Sequence, residues 1–267
     1  MSTTTAAGEG PRAGGGGGMP TWMKFLSLGA GLVFLASFSM LVMYPGMAGG
    51  PKWTPPPKTA LSSDFDGEPL LVGSFNLVNQ NGDDVNELLL YKHVTIAAFV
   101  FSNCPLACPT ITTQMKMLQD SLSDTQVRFT AFSIDPANDS PAVLKAWGER
   151  LRVNWETWSF VTERHPISSA GPAHTVRQIY TENLKAHLAT DPKERIAVKS
   201  AGDPSVTMDN IVHPFELYLL GPKGEVLAKY AANRQEDIDA LRVRAREADA
   251  LLRGIRGGGD AGKPSGK

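Results

Sequence analysis

The chain has 267 residues, 42% hydrophobic and 20% charged. That is enough apolar content for a globular core and too balanced for a wholly disordered chain. Its 26 basic and 27 acidic residues leave a net charge of −1, which excludes a protein whose main partner is nucleic acid, because phosphate binding needs a basic excess. The two cysteines, Cys104 and Cys108, are too few for a disulfide-rich scaffold or a four-cysteine zinc site.

Residues 1–24 include the glycine run Gly14–Gly18 and few apolar side chains, so they are expected to be a disordered N-terminal segment. Residues 25–44, Phe25 to Tyr44, carry no charge. About 20 helical residues cross roughly 30 Å of hydrocarbon, so this stretch predicts one transmembrane helix. Lys24 stands at one end, with Tyr44 and Trp53 near the other, as interface anchors do. A cleaved signal peptide is the alternative, but its apolar region is usually about 7–15 residues long, and Met47-Ala48-Gly49 is a poor cleavage site. Arg12 and Lys24 before the span balance Lys52 and Lys58 after it, so loop charge leaves orientation open. Residues 45–62 are rich in proline and glycine and predict a stiff linker. One domain over 63–253 follows, and 254–267 reads as a disordered tail.

Within the domain, Leu70–Val78 followed by Asn79-Gln80-Asn81-Gly82-Asp83 predicts a strand and hairpin turn. Val94–Phe101 and Val127–Ile134 are continuous apolar runs, the pattern of strands buried on both faces. Between them Ile111, Met115, Leu118 and Leu122 share one helix face. Ser140 and Pro141 are a cap and first residue for a second helix, with Leu144, Trp147 and Leu151 on its apolar face. Trp158–Thr162 predicts a short strand and Ser168–Tyr180 a helix, broken early by Gly171-Pro172. Residues 181–209 show no clean period and read as an insertion. Phe215–Leu220, the turn Gly221-Pro222-Lys223-Gly224 and Glu225–Tyr230 predict a hairpin. Ile238, Leu241, Ala245, Ala248 and Leu252 predict the closing helix. This order implies an α/β layer fold, a parallel sheet with an antiparallel edge.

Cys104 and Cys108 fall where a buried strand hands over to a helix, the end of an open α/β sheet where ligands bind. The helix dipole there favours a thiolate, so the thiol pKa is expected to fall. Two sulfurs at this spacing can form a disulfide or hold a soft ion, Cu(I) well and zinc acceptably. Inert buried thiols and a purely structural disulfide are the plainer readings. Three residues separate the cysteines, against two in thioredoxin-like oxidoreductases. A binuclear copper-A site has three as well, but adds a histidine where this chain has Thr112. Met115 matches a copper-A methionine in spacing, yet lies on the apolar helix stripe and reads as core. Of the five histidines, His93, His165, His174 and His187 read as solvated. His213 opens a strand and is placed to face the cysteine loop.

Three segments carry a resemblance: CPLACP (Cys104–Pro109), SIDPANDSP (Ser133–Pro141) and VHPFELYLLGPKGEV (Val212–Val226). Together, in this order, and with the entry segment VGSFNLVNQNG, they resemble the SCO/SenC family over roughly residues 65–232. The resemblance implies a membrane-tethered, thioredoxin-like fold with a mixed central sheet flanked by helices. It also implies copper, Cu(I) or Cu(II), held by Cys104, Cys108 and His213. The implied client is the copper-A-bearing subunit of cytochrome c oxidase. The sequence departs from the family pattern at Leu106 and Ala107, where an acidic residue is common between the cysteines. It departs again at Val212, where many members have aspartate, with Asp209 nearby.

The leading expectation is therefore a copper-binding assembly factor that is not a turnover enzyme. It is anchored by one helix, with its domain on the extracytoplasmic side. The alternative is a thiol–disulfide oxidoreductase using Cys104 and Cys108 as a redox pair, with no need for His213. A peroxide-reducing enzyme ranks below both, because no arginine accompanies the cysteine loop.

Overall fold

The structure, a computed structural model, describes residues 58–164, 175–199, 202–203 and 205–260. The expected N-terminal segment, the Phe25–Tyr44 anchor and most of the linker lie outside these residues. Among the described residues no helix is long and apolar enough to cross a membrane.

Among the described residues, nine strands form two sheets. The central sheet has seven strands in the order β2-β1-β5-β4-β3-β8-β9. These are β1 (Asn76–Asn79), β2 (Asp84–Asn86), β3 (Thr95–Val100), β4 (Arg128–Ser133), β5 (Trp158–Thr162), β8 (Glu216–Leu220) and β9 (Val226–Ala231). Strands β3, β4 and β5 run parallel. Antiparallel pairs flank them on both sides, β1 with β5 and β2, and β8 with β3 and β9. The sheet is thus mixed at both edges, where the chain order alone implied a single antiparallel edge.

β3 is buried at every position, as its unbroken apolar run requires. Phe99 stacks on Phe132 of β4 with ring centres 5.2 Å apart, and Phe129 stacks on Trp158 of β5 at 5.9 Å. The hairpin β8–β9 closes through Gly221–Gly224, where the Gly224 N–H donates to the Gly221 carbonyl at 3.0 Å. Gly224 has φ +77°, a conformation that strains any side-chain-bearing residue.

Helix α1 (Ala107–Ser121) buries Ile111, Met115 and Leu118 and packs on β3. Met115 is core, as expected. Helix α2 (Pro141–Leu151) starts as the sequence predicts: Ser140 Oγ accepts from the Val143 N–H at 3.4 Å, and Pro141 occupies the first turn. Of the helix expected over Ser168–Tyr180, the described part is α3 (Thr175–Gln178), continuing as a π-helical turn over Ile179–Asn183. Helix α4 (Gln235–Asp260) packs on β9 and α1. It continues past the expected boundary at Arg253, because extending an existing helix needs no new nucleation.

The stretch read as an aperiodic insertion holds the strands of a β-hairpin. β6 (Ala189–Ala197) and β7 (Thr207–Val212) pair antiparallel as a two-stranded sheet of their own. Its pairing shifts register between Asp191 and Arg195. That irregularity and the exposure of most of β6 explain why no period-two alternation marks it.

Candidate metal centre

Each element brings one part of the site. β3 ends at Val100, and the chain reaches Cys104 before α1 begins, so Cys104 sits just ahead of the helix and Cys108 in its first turn. His213 lies beyond the end of β7, in the joint that leads into β8. The thiols of Cys104 and Cys108 and the His213 ring converge, with one donor atom of each within 4.8 Å of the others. Both cysteines are free. All three are nearly buried: Cys104 is 4% exposed, Cys108 0% and His213 7%.

The two sulfurs differ. Cys104 Sγ accepts the Cys108 backbone N–H at 3.3 Å, a first-turn donor of α1. A hydrogen bond from the Cys108 side chain is the largest influence on Cys104. Together with a hydrogen bond from His213 and backbone donors it outweighs burial and brings the Cys104 pKa down to about 4. Cys108 moves the other way: burial, first, and then its bond to Cys104 push its thiol well above the ordinary value. The expected drop in pKa therefore holds for one thiol only. An apolar enclosure admits one negative charge and makes a second costly.

The imidazole is oriented from behind. His213 Nδ1 lies 3.0 Å from the Pro214 carbonyl. A carbonyl only accepts, so Nδ1 carries a proton and Nε2 is the nitrogen turned toward the sulfurs. Nε2 stands 3.4 Å from Cys108 Sγ. Phe101 shields the ring edge-on, with centres 6.0 Å apart. Two sulfurs and an imidazole nitrogen make a soft, electron-rich donor set that suits Cu(I) and accommodates zinc.

Around these three lie groups that sequence reasoning did not single out. Asp139, completely buried, accepts the Ser102 N–H at 3.2 Å, the Ser102 hydroxyl, and the Ser133 hydroxyl at 2.6 Å. It ties the end of β3 to the end of β4, two residues before Cys104. Burial, the largest cause, lifts its pKa to about 6 against these donors. The hairpin side contributes Lys199. Its N–H donates to Asn103 Oδ1 at 2.8 Å, and its ammonium to the carbonyls of Ser102 and Cys104 at 3.1 and 3.2 Å. Met208 of β7 accepts weakly from Asn103 and Asn138. Asp139 stands inside the SIDPANDSP segment, so its place was visible in sequence and its role was not. Lys199 and Met208 lie in the aperiodic stretch and carried no signal.

The remaining histidines separate. His187 is exposed, as expected. His93 is half-buried rather than solvated, and burial lowers its pKa. His165 and His174 lie outside the described residues. Thr112 is buried and its hydroxyl donates to the Cys108 carbonyl at 2.8 Å.

A family model described as SCO1/SenC matches residues 63–246. The SCO1 protein homolog of Bacillus subtilis (strain 168) is 29% identical over 182 residues, covering 67% of this chain and 83% of that protein. Protein SCO1, mitochondrial, of Saccharomyces cerevisiae is 27% identical over 175 residues, covering 64% of this chain and 52% of that one. Among solved structures, BsSco, described as a member of the Sco family of cytochrome c oxidase assembly proteins with a disulfide switch, superposes with a TM-score of 0.54. It is 28% identical, and the match covers 71% of this chain and 99% of that one. The central sheet and its helices are accordingly a thioredoxin-like α/β fold.

Proposed function

This chain belongs to the SCO1/SenC family, and on that premise we propose that it is a copper-binding assembly factor. It takes up copper through Cys104, Cys108 and His213 and passes it to the copper-A-bearing subunit of cytochrome c oxidase. The observation that carries this reading is the convergence of two sulfurs and one imidazole nitrogen within 4.8 Å. The assignment to oxidase assembly draws on the description of BsSco.

The chain's own groups suit loading and release of a soft cargo ion. Cys104, already a thiolate, supplies the first anionic donor without losing a proton. Cys108 gives its proton to solvent on ligation, so uptake is coupled to pH. His213 offers Nε2 in the tautomer that the Pro214 carbonyl selects. Oxidation of the two thiols to a disulfide would remove both sulfur donors and block loading, which ties uptake to redox state. The same pair supports the second reading, thiol–disulfide exchange, because an acidic Cys104 beside a protonated Cys108 is the asymmetry that exchange needs.

We place the domain on the extracytoplasmic side, tethered by Phe25–Tyr44 and the linker that follows. A membrane-impermeant thiol reagent applied to intact cells is expected to reach the domain there.

Titration of Cys104→Ser, Cys108→Ser and His213→Ala with Cu(I) against a competing chelator tests the function. Loss of either sulfur should cost more than the roughly 10–100-fold typical of a supporting partner. His213→Ala should weaken Cu(I) binding and impair Cu(II) binding more, since the harder ion depends more on nitrogen. Wild-type affinity for both ions in His213→Ala would refute the three-donor site. If Cys104→Ser also bound like wild type, thiol exchange would replace copper as the function.

A further inference from the structure

Beside Cys104 the surface between α1 and α2 is concave. One cavity, of about 250 Å³, is lined by Cys104, Pro109 and Thr112, by Trp147 and Arg150 of α2, and by Lys199. A second, of about 510 Å³, continues along α2 past Ala142, Val143 and Ala146. The two share Ser102, Arg150 and Lys199, so they form one elongated groove with nearly buried Cys104 at its inner end. No carboxylate lines it among the described residues.

Both of its cations are uncompensated. Among the described residues neither Arg150 nor Lys199 forms an ion pair; Lys199 donates only to the neutral carbonyls of Ser102 and Cys104. Cations in a concave, low-dielectric wall focus their field and attract anions. Beside the hydroxyls of Ser102, Thr112 and Thr113, the wall has an apolar length from Pro109, Val143, Ala146 and Trp147. A simple inorganic anion would use none of that apolar length, whereas a peptide carrying carboxylates among aliphatic side chains uses both features.

We propose that this groove docks an acidic segment of the partner protein, bringing the partner's reacting sulfur to Cys104. The inference deepens the assembly-factor reading and rests on it, by naming the chemistry of the partner surface. Electrostatic complementarity of this kind acts mainly on encounter rate and choice of partner, so its signature is kinetic.

The test uses the full chain in nonionic detergent, carrying Cys108→Ser so that Cys104 is the only thiol. Two pentapeptides serve as probes, each ending in leucine, glycine and cysteine, one beginning with two glutamates and the other with two lysines. Each cysteine is held as a disulfide with thionitrobenzoate. The Cys104 thiolate attacks the peptide sulfur, a protein–peptide disulfide forms, the old disulfide breaks, and thionitrobenzoate leaves with the electron pair and is read by absorbance. Rates are normalised to those of N-acetylcysteine with the same probes.

The acidic peptide is expected to react about tenfold faster than the basic one at low ionic strength, within the range of electrostatic steering, and the preference should shrink in high salt. Arg150→Glu should abolish or reverse the preference. Lys145→Glu, the same charge change on an exposed α2 residue outside the groove, should leave it. Equal rates, no reaction with either probe, or equal loss in Arg150→Glu and Lys145→Glu would each overturn the proposal. With both cysteines present, Arg150→Glu should bind Cu(I) as the parent does. A parent that binds no Cu(I) while keeping the peptide preference would defeat the copper reading and spare the groove.

Discussion

The donors of the site come from two regions built in different ways. The cysteine segment leaves β3, which is buried at every position in the middle of a seven-stranded sheet, and Asp139 ties its exit to β4. His213 arrives at the end of a separate two-stranded sheet whose first strand is mostly exposed. That hairpin reaches the cysteine loop through Lys199, Asn103 and Met208. The contrast teaches that the sulfurs are held by the core, and the imidazole by a peripheral strap. Damage to the first should register as lost stability; damage to the second should register at the site with little effect on folding.

The strongest probe of that contrast is Phe132→Ala. Phe132 stacks on Phe99 and meets Phe75 edge-on at 5.7 Å, so the truncation is expected to cost about 3–5 kcal/mol in denaturant unfolding. A loss under about 1 kcal/mol, the size expected of an exposed ion pair, would mean that the sheet is not what holds the cysteine segment. Next is Asp139→Ala, which strands the donors of Ser102 and Ser133 and should cost about 1–3 kcal/mol. Asp139→Asn, which keeps an accepting oxygen, should cost less. If both variants unfold like the parent, Asp139 does not tie the two strand ends together.

A pH series sharpens the sulfur side. Cys104 falls from the ordinary 9.0 to about 4 in the folded chain, so between those values the unfolded state binds the extra proton and stability rises with pH. This contribution is complete above about pH 9 and disappears as pH falls through about 4. The stability gap between parent and Cys104→Ser should therefore widen steadily from pH 4 to 9. Asp139 acts in the opposite sense. Its pKa is raised from 3.8 to about 6, so its contribution is full below 3.8 and lost as pH climbs through 6. Because Asp139 is present in both chains, it cancels in the gap. A gap that stays flat with pH would show that Cys104 is an ordinary thiol.

The smallest effect is expected on the hairpin. Arg195 pairs with Asp209 across β6 and β7, with side chains 51% and 37% exposed. Arg195→Ala should change stability by less than about 1 kcal/mol. Thermal unfolding and Cu(I) titration of this variant should both match the parent closely. A large loss of stability would make the hairpin part of the folding core and dissolve the distinction.

Much of this architecture is written locally. The unbroken apolar runs of β3 and β4, the stripe of Ile111, Met115 and Leu118, and the Ser140-Pro141 start of α2 follow from periodicity and capping, which depend on neighbours a few residues away. The CPLACP spacing likewise marks the two sulfurs as a pair at a strand-to-helix junction. The hairpin escaped because its register slips at Asp191–Arg195 and few of its β6 side chains are buried, so neither face leaves a hydrophobic pattern.

The sequence by itself determined which segments are buried, where two helices begin, and that two thiols stand together at one strand-to-helix junction. Tertiary structure decided that His213 meets Cys108 across 105 residues of chain, with Cys104 beside them, and that Asp139 and Lys199 brace the cysteine loop. It also decided that the sulfurs are unequal, the pKa of one lowered and that of the other raised. The reason is that burial, hydrogen bonding and charge at a site are set by groups brought together from distant parts of the chain, and the local pattern that specifies each strand or helix carries no record of what it will face.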